Sequence, residues 1–412
     1  MKIVNFGSCN IDIVYRLERI VRIGETLGTR SCDLYPGGKG LNQSIAMARA
    51  GAKVYHAGCV GADADMLTNL LLSSGVDISY LQYSDAKNGH AIIQVDDVGN
   101  NSIFIHAGTN GMVYCEYIDR VLEDFSQGDM LVLQNEISNV EYIIKMAYQK
   151  NMQIVFNPSP FNDVIGNIDL NMITYLIINE VEGQELTGSD QPKQILNILH
   201  SRYPNTKIIL TLGNKGCMYK DKKHFLEHPA YQVVVVDTTA AGDTFAGYFV
   251  ACIGEGMDVA KALKYASAAS SLGVSRAGAA PSIPLIKEVR NALSYLRPMI
   301  DSSKHDMIKN TIDSYIKSNI KNTSRTELAG MLGYSVVYTG NLVKSLTGMS
   351  FSQYVQSLRC EMAEELLKNT KMSVKEIIDE VGYENASFFR VKFKEKYGSN
   401  PLDYRKQQKG KL

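Results

Sequence analysis

Through residue 298 the chain alternates short apolar runs with stretches of helical period, and from residue 306 onward no strand pattern remains. Parallel strands need a crossover of a dozen or more residues, usually a helix, so this alternation demands an α/β fold with a largely parallel sheet. The remainder reads as helical. At 412 residues the chain is also long for one core. The expected domains are therefore 1–298, a polar linker at 299–305 and an all-α domain at 306–412. Buried strands are predicted at 1–7, 54–60, 130–133, 153–157, 175–179, 207–212 and 233–236. A glycine-rich turn runs into a helix over 37–50, with further helices at 66–74, 257–272 and 285–296. Residues 90–96 and 101–106 alternate at period two around Gly99-Asn100, which predicts a β-hairpin in a small sheet apart from the main one.

Hydrophobic residues make up 45% and charged residues 21% of the chain, which excludes a disordered or fibrous protein. Residues 1–10 lack a basic, apolar leader and no run approaches eighteen apolar residues, so the expected location is cytoplasmic, with no membrane partner. Seven cysteines without C-x-x-C spacing imply neither a disulfide framework nor a zinc site. The zero net charge hides an asymmetry: residues 301–412 carry 18 Lys+Arg against 13 Asp+Glu, leaving 25 against 30 for residues 1–300. A basic tail behind an acidic body suits a polyanionic partner for the tail.

Three stretches of the body carry chemistry. Asp237-Thr238-Thr239-Ala240-Ala241-Gly242-Asp243-Thr244-Phe245 follows the apolar run at 233–236. Small residues between a strand and a helix would leave the N–H groups of Ala240, Ala241, Gly242 and Asp243 unpaired at the positive end of the helix, where an anion binds. Asp243 would then stand beside that anion as a base. The same residues also fit an ordinary N-cap. Gly37-Gly38-Lys39-Gly40-Leu41-Asn42-Gln43 puts glycines where backbone must approach a ligand, a pattern that turns also produce. Gly7-Ser8-Cys9-Asn10-Ile11-Asp12 sets Asn10 and Asp12 just past the carboxyl end of the first strand, where open α/β sheets bind ligands. A surface aspartate is the plainer alternative there.

In this order, over about residues 1–297, these motifs resemble the ribokinase branch of the PfkB carbohydrate kinase family. Gln134-Asn135-Glu136, Asn179-Glu180-Val181-Glu182, Thr211-Leu212-Gly213-Asn214-Lys215-Gly216 and residues 278–284 agree with it. The resemblance implies a ribokinase-like three-layer α/β/α sandwich with a small β lid, and ATP-dependent transfer of a phosphoryl group to a sugar's primary hydroxyl, ribose-like pentoses fitting best. It gives Asn10, Asp12, Gly38, Lys39, Asn42 and Glu136 to the sugar hydroxyls, and Ala91 and Ile105 to the apolar wall of the lid. Asn179 and Glu182 would order Mg2+ near the phosphates, and Thr211, Gly213, Gly216 and Ser267 would line the nucleotide pocket. Asp237, Thr239, Gly273, Arg276, Gly278 and Ser282 match a K+ site, mostly through backbone carbonyls. Asp243 would accept the hydroxyl proton while the amides of residues 240–243 neutralise the phosphoryl oxygens. The resemblance also implies a homodimer formed through the lids.

The tail reads as helices at 307–318, 324–332, 335–346, 351–368, 373–381 and 385–397. Its second and third, and its fifth and sixth, are spaced as helix-turn-helix units. A plain helical bundle shares that spacing. However, the run from Val374-Lys375-Glu376-Ile377-Ile378 through Gly382-Tyr383 to Phe388-Phe389-Arg390, followed by Phe393-Lys394 and residues 401–405, closely resembles an AraC/XylS-type DNA-binding domain. That resemblance implies an all-α double helix-turn-helix domain whose third and sixth helices enter consecutive major grooves of a double-stranded operator. Val337, Tyr338, Gly340, Asn341 and Lys344 are candidates on the first, and Asn385, Ala386, Ser387, Arg390 and Val391 on the second. Arg390 and Asn341 suit base edges, and Lys344, Lys392, Lys394 and Arg405 suit phosphate. Phe389 and Phe393 are assigned to the core.

Three functions are compatible with this reading. One is a kinase that is also a transcriptional regulator. The second is a transcription factor whose kinase fold senses a sugar or nucleoside without turnover, and the third an enzyme whose tail only assembles it. A sensor needs the pocket but not the base, so the presence of Asp243 favours the first.

Overall fold

In a computed structural model, residues 1–299, 302–332, 334 and 336–409 are described. The chain divides into two compact units, Met1–Met299 and Ile300–Leu412.

The strands of the first unit are β1 (Ile3–Phe6), β2 (Asn10–Arg16), β3 (Ser31–Gly37), β4 (Val54–Val60), β5 (Asp77–Tyr83), β6 (Gly89–Val95) and β7 (Asn101–His106). They continue with β8 (Met130–Gln134), β9 (Gln153–Asn157), β10 (Tyr175–Asn179), β11 (Lys207–Thr211), β12 (Cys217–Lys220) and β13 (Phe225–His228). Its helices are α1 (Lys39–Arg49), α2 (Asp65–Ser73), α3 (Cys115–Leu122), α4 (Val140–Gln149), α5 (Glu180–Thr187), α6 (Pro192–Arg202), α7 (Ala241–Gly254), α8 (Val259–Val274) and α9 (Ile286–Ala292).

Nine strands form one sheet in the order β13-β12-β11-β10-β9-β8-β1-β4-β5. It is parallel from β5 through β11 and closes with the antiparallel pairs β11–β12 and β12–β13. Such a sheet must be covered on both faces, and it is. Buried side chains of α1, α2, α7, α8 and α9 pack on one face, and those of α3, α4 and α6 on the other, so the unit has three layers. β2, β3, β6 and β7 form a separate sheet in the order β3-β2-β6-β7. The predicted hairpin is its β6–β7 pair, and β2 and β3, which lack a clean alternation, complete it.

Residues 233–236, expected as a buried strand, are not one. They run in irregular chain, with Val234, Val235 and Val236 respectively 82%, 61% and 59% exposed. The sheet ends at the β12–β13 hairpin without pairing to this run, two of whose residues, Val233 and Val235, line a cavity instead.

Among its described residues the second unit has seven helices, one more than expected: α10 (Ser302–Ser318), α11 (Arg325–Leu332), α12 (Val336–Thr347), α13 (Phe351–Asn369), α14 (Val374–Glu380), α15 (Ala386–Tyr397) and α16 (Pro401–Lys409). Helix α10 begins inside the stretch expected as linker. The helix α13 serves two cores. Tyr354, Val355 and Leu358 join Ile312, Ile316, Leu328 and Val343, while Cys360, Ala363 and Leu367 join Ile377, Ile378, Phe389 and Phe393. Each half therefore holds one helix-turn-helix pair, α11–α12 or α14–α15.

Candidate active site and nucleic-acid interface

The order of the large sheet reverses at β1, which has β4 on one side and β8 on the other, and ligand crevices form at the carboxyl ends of such a switch point. There the first turn of α1 rests directly on the end of β1. A Cβ on Gly40 would lie 2.3 Å from the Ser8 nitrogen, and one on Gly7 2.5 Å from the Gly40 Cα, so only glycines permit the approach. Gly38 turns the chain into α1 at φ 98°. The Ser8 hydroxyl donates to Glu136 Oε2 and accepts from the Gly40 N–H at 3.2 Å, and the Lys39 N–H donates to the same carboxylate oxygen at 2.9 Å. Burial raises the pKa of Glu136, against the opposing pull of Ser8 and Lys39. The ammonium of Lys39 is held charged chiefly by Asp243, whose effect outweighs burial, with Glu136 and Glu182 adding to it.

Asp243 lies in the first turn of α7 and is 5% exposed. Both its carboxylate oxygens are held from α1: Asn42 Nδ2 donates to Oδ2 at 3.0 Å and Gln43 Nε2 to Oδ1 at 3.1 Å. Gln43 is held in turn, its Nε2 also donating to Asn157 Oδ1 at 3.1 Å and its Oε1 accepting from Gln134 Nε2 at 2.7 Å. Gln134 reaches Asn5 Oδ1 at 3.0 Å, and Asn5 donates to the Gly40 carbonyl and to Ser44 Oγ, each at 2.8 Å. The carboxylate thus ends a buried polar chain anchored in β1, β8 and α1. Asn42 Oδ1 is buried with no protein partner, an acceptor left over for a ligand hydroxyl.

Ala240 caps α7 in the left-handed region, at φ 58°, a conformation that costs a non-glycine residue about 1 kcal/mol or more. Of the four amides expected to be free, that of Ala241 is not: it donates to the Thr238 carbonyl at 3.2 Å. The left-handed Ala240 folds the turn back far enough to close this bond. Ala240, Gly242 and Asp243 have no backbone acceptor among the described residues. A Cβ on Gly242 would meet nothing within 4 Å, so the chain is uncrowded at this residue.

The lid sheet carries Asp12, Ala91 and Ile105 in one cross-strand row, by the registers Asp12–Ala91 and Ala91–Ile105. They share a face because side chains in register across paired strands point the same way. Burial first, and then Glu136, raises the pKa of Asp12 to about 7. Asn10 opens β2 and is 4% exposed; its Oδ1 accepts from Asn110 Nδ2 at 2.7 Å, and Asn110 Oδ1 accepts from the Cys9 N–H at 3.1 Å. Asn110 lies in a 3-10 turn, Gly108–Met112, without any motif, and sequence reasoning missed it.

A cavity of about 370 Å3 opens beside the α7 turn. Thr211, Gly213, Gly216 and Ser267 line it, as do Thr238, Ala241 and Gly242. Asn179 is outside this lining. It forms a capping box at the start of α5, with the Glu182 N–H donating to Asn179 Oδ1 at 2.8 Å and the Asn179 N–H donating to Glu182 Oε2 at 2.9 Å. The pair therefore presents one carboxylate oxygen beyond its own bonds.

Asp237 ties two loops together, accepting from the Thr239 N–H at 2.9 Å and hydroxyl at 2.6 Å and from the Gly278 N–H at 2.9 Å. Burial would raise its pKa, but these bonds outweigh burial and hold it low. The Arg276 side chain turns away to Glu288 Oε1 at 2.7 Å, and Ser282 Oγ donates to the Ala279 carbonyl at 2.8 Å. Thr244 Oγ1, buried without a partner, lies 3.7 Å from where a Cβ of Gly273 would stand.

In the second unit Ser387, Arg390, Val391 and Lys394 are exposed on α15, spaced to share one face, and Asn341 and Lys344 are exposed on α12. The side chains of Val337 and Tyr338 lie outside the described residues. Three of the candidates also have partners within the unit. Asn385 is the N-cap of α15, its Oδ1 accepting from the N–H groups of Ser387 at 2.9 Å and Phe388 at 3.0 Å. Lys392 pairs with Glu395 at 2.7 Å. Arg405 turns inward, its Nε donating to the Leu367 carbonyl at 3.2 Å, because α16 packs against α13. Phe389 and Phe393 are fully buried, their rings tilted by 46° with centroids 5.6 Å apart.

The family described as pfkB family carbohydrate kinase matches residues 1–286, and a helix-turn-helix domain of the AraC type matches residues 328–407. A ribokinase from Bacillus subtilis (strain 168) is 33% identical over 293 residues, covering 70% of this chain and 98% of that protein. A crystal structure of ribokinase from Cryptococcus neoformans in complex with ADP superposes with a TM-score of 0.62 at 33% identity, over 70% of this chain and 99% of that one. That of Arabidopsis thaliana ribokinase complexed with ribose and ATP gives 0.64 at 27%, over 71% and 99%. Among the described residues no helix is long and apolar enough to cross a membrane. The chain belongs to the PfkB carbohydrate kinase family, and its first unit is a ribokinase-like carbohydrate kinase joined to an AraC-type helix-turn-helix domain.

Proposed function

We propose that the first unit transfers the γ-phosphoryl group of ATP to the primary hydroxyl of a ribose-like pentose, and that the second makes the same chain a sequence-specific DNA-binding regulator. The observation that carries the kinase chemistry is the double clamp on Asp243. Asn42 and Gln43 fix both carboxylate oxygens in the first turn of α7, where the amides of Gly242 and Asp243 have no backbone acceptor among the described residues and Gly242 lines the cavity. A base held in one orientation beside an anion site suits in-line transfer, which needs positioning and charge stabilisation more than covalent chemistry.

In this reading Asp243 accepts the hydroxyl proton as the oxygen attacks phosphorus, and the amides neutralise charge on the phosphoryl oxygens. Asn10, Asp12, Gly38, Lys39, Asn42 and Glu136 hold the sugar. Asn42 has a free acceptor, and Asp12, with its pKa near 7, both donates and accepts, as a polyol requires. Ala91 and Ile105 close over the sugar and exclude water. The cavity takes the nucleotide, consistent with the ADP and ATP bound by the two ribokinase structures.

The remaining carboxylate oxygen of Glu182 and its partner Asn179 fit an outer-sphere role toward Mg2+, which supplies charge neutralisation on the phosphates when bound. The loops joined by Asp237 fit K+, because Arg276 and Ser282 direct their side chains elsewhere and leave backbone carbonyls to the ion. Ile103, Phe104 and Ile105 on the edge strand β7 are more than half exposed, an apolar edge that a second copy would cover. On that ground the protein is a homodimer through its lids.

The test is ATP consumption by the whole chain across pentoses and nucleosides. Turnover with ribose or a close relative is expected. A sugar that raises the melting temperature yet is never phosphorylated would leave the sensor reading in its place.

A further inference from the structure

The nucleotide cavity and the exit of the kinase unit share a wall. Ala230, Tyr231 and Val233 line the cavity from one strand of chain, and Met299, the last residue of the unit, lines it from another. The two segments are hydrogen-bonded side by side. The Met299 N–H donates to the Ala230 carbonyl at 2.6 Å and the Gln232 N–H to the Arg297 carbonyl at 2.8 Å. Tyr231 forms an antiparallel bridge with Pro298, and Gln232 Nε2 donates to the Pro298 carbonyl at 3.3 Å. The Tyr231 N–H is fixed on Ser271 Oγ, another cavity residue, at 3.2 Å. Only residues 300 and 301 then separate Met299 from α10, the first helix of the second unit.

Two features make this wall responsive to an occupant. Met299 is 37% exposed and is one of the residues lining the cavity, so filling the cavity changes its surroundings. The valine run that leads on from the wall is apolar yet unburied by the protein. Apolar surface left open at a cavity gains free energy only when a ligand covers it. A ligand that orders the paired segments 230–232 and 297–299 orders the last residues before α10. The candidate sugar contacts lie elsewhere, on the lid and the first turn of α1.

We propose that the nucleotide cavity is also an effector site for the DNA-binding unit. Its ligand is an adenine nucleotide acting through the Met299 segment, so that DNA affinity follows nucleotide occupancy, not sugar alone. This rests on the placement of ATP in the cavity proposed above. A ligand shifts an equilibrium only by its differential affinity for two states, and the effect is reciprocal: ADP must change the affinity for DNA by the factor by which DNA changes the affinity for ADP.

The test uses the full chain, DNA enriched by it from a random-sequence pool, and ADP, which binds without turnover. ADP is expected to change the Kd for that DNA by at least about fivefold, with the reciprocal change in ADP affinity. Inserting eight Gly/Ser residues between 301 and 302 should abolish the coupling while leaving both separate affinities in place. Hydrogen exchange gives a readout that needs no operator: ADP should slow exchange in residues 292–299 and in α10 as well as around the cavity. A DNA affinity that stays within twofold overturns the proposal, as does ADP protection that covers 211–216 and 230–245 but stops at 299. If ADP protects none of these segments, the nucleotide assignment of the cavity itself has failed, a different outcome from intact binding without coupling.

Discussion

In the kinase unit the Asp243 carboxylate, and the Gln43 that clamps it, are held by other side chains of the interior, whereas on α15 the outward groups Ser387, Arg390 and Lys394 face solvent, and the residues that support them lie behind, in Phe389 and Phe393. Asp243 cannot move without disturbing Asn42 and Gln43, nor Gln43 without Gln134 and Asn157. A chemical step rewards this interlocking, since an ångström of misplacement costs a large factor in rate. A surface that must meet a groove has its order supplied by the partner and needs only a rigid helix beneath. Substitutions in the first region should therefore reach both rate and stability, and those in the second only affinity.

The largest effect is expected at Asp243. Asp243→Asn should lower turnover at least ~100-fold with nucleotide affinity retained, because it removes the base and leaves the amides. The fold tolerates it: Asn42 already has a free acceptor oxygen, so turning its amide over offers that oxygen to the new NH2 group. Near wild-type phosphorylation by this variant would mean that the clamped carboxylate is not the base.

Gln43→Leu follows. It removes a donor to a carboxylate and leaves Gln134 Nε2 without one of its acceptors, costing about 1–3 kcal/mol of stability. Turnover should drop roughly 30-fold, on the scale of one hydrogen bond to a charged group, with little change in the KM for ATP. A variant that melts early but turns over normally would reduce Gln43 to a packing role.

The contrasting case is Arg390→Ala. Arg390 is exposed and among the described residues its side chain has no hydrogen bond or ion pair, so its loss should leave the melting temperature and kinase rate unchanged. DNA affinity should weaken by about 1–3 kcal/mol, mainly for the preferred sequence. Equal weakening on all sequences would move Arg390 from base edge to phosphate. A fall in melting temperature would break the contrast between the two regions.

What the sequence disclosed follows the same division. Motif residues that let backbone approach backbone or turn into a helix were legible, because glycines at 7, 38 and 40 and the run at 240–242 have few other uses in that order. The predicted hairpin and both helix-turn-helix pairs formed for the same reason, as period and turn residues agreed. Residues whose work is to hold others were not legible: Asn110 sits in an unpatterned turn, and Asn157 is merely the polar end of a strand. Asn385 and Arg405 were candidates for DNA through the resemblance, and the sequence did not show that one also caps α15 and the other also bonds α13. The valines at 233–236 misled because an apolar run looks the same whether a core or a cavity covers it.

The smallest effect distinguishes the buried groups by proton linkage. Asp12 has its pKa raised to about 7 in the fold from an ordinary 3.8, so the folded protein keeps a proton that the unfolded chain releases. Its contribution is complete below the unfolded value and is lost as pH rises towards 7. Glu136, raised by burial, tilts stability the same way. His56, buried between Cys9 and Ser44, is lowered by burial to about 4 from 6.5; its contribution is complete above 6.5 and is lost as pH falls through 4. The two tendencies oppose one another across the same window. Asp12→Asn removes part of one side and none of the other. The difference between the melting temperatures at pH 5 and pH 7 should then move by roughly 2–4 °C towards acid lability relative to wild type. An unchanged difference would place the Asp12 carboxyl in water, and a carboxyl in water on the lid would be a weak anchor for a sugar hydroxyl.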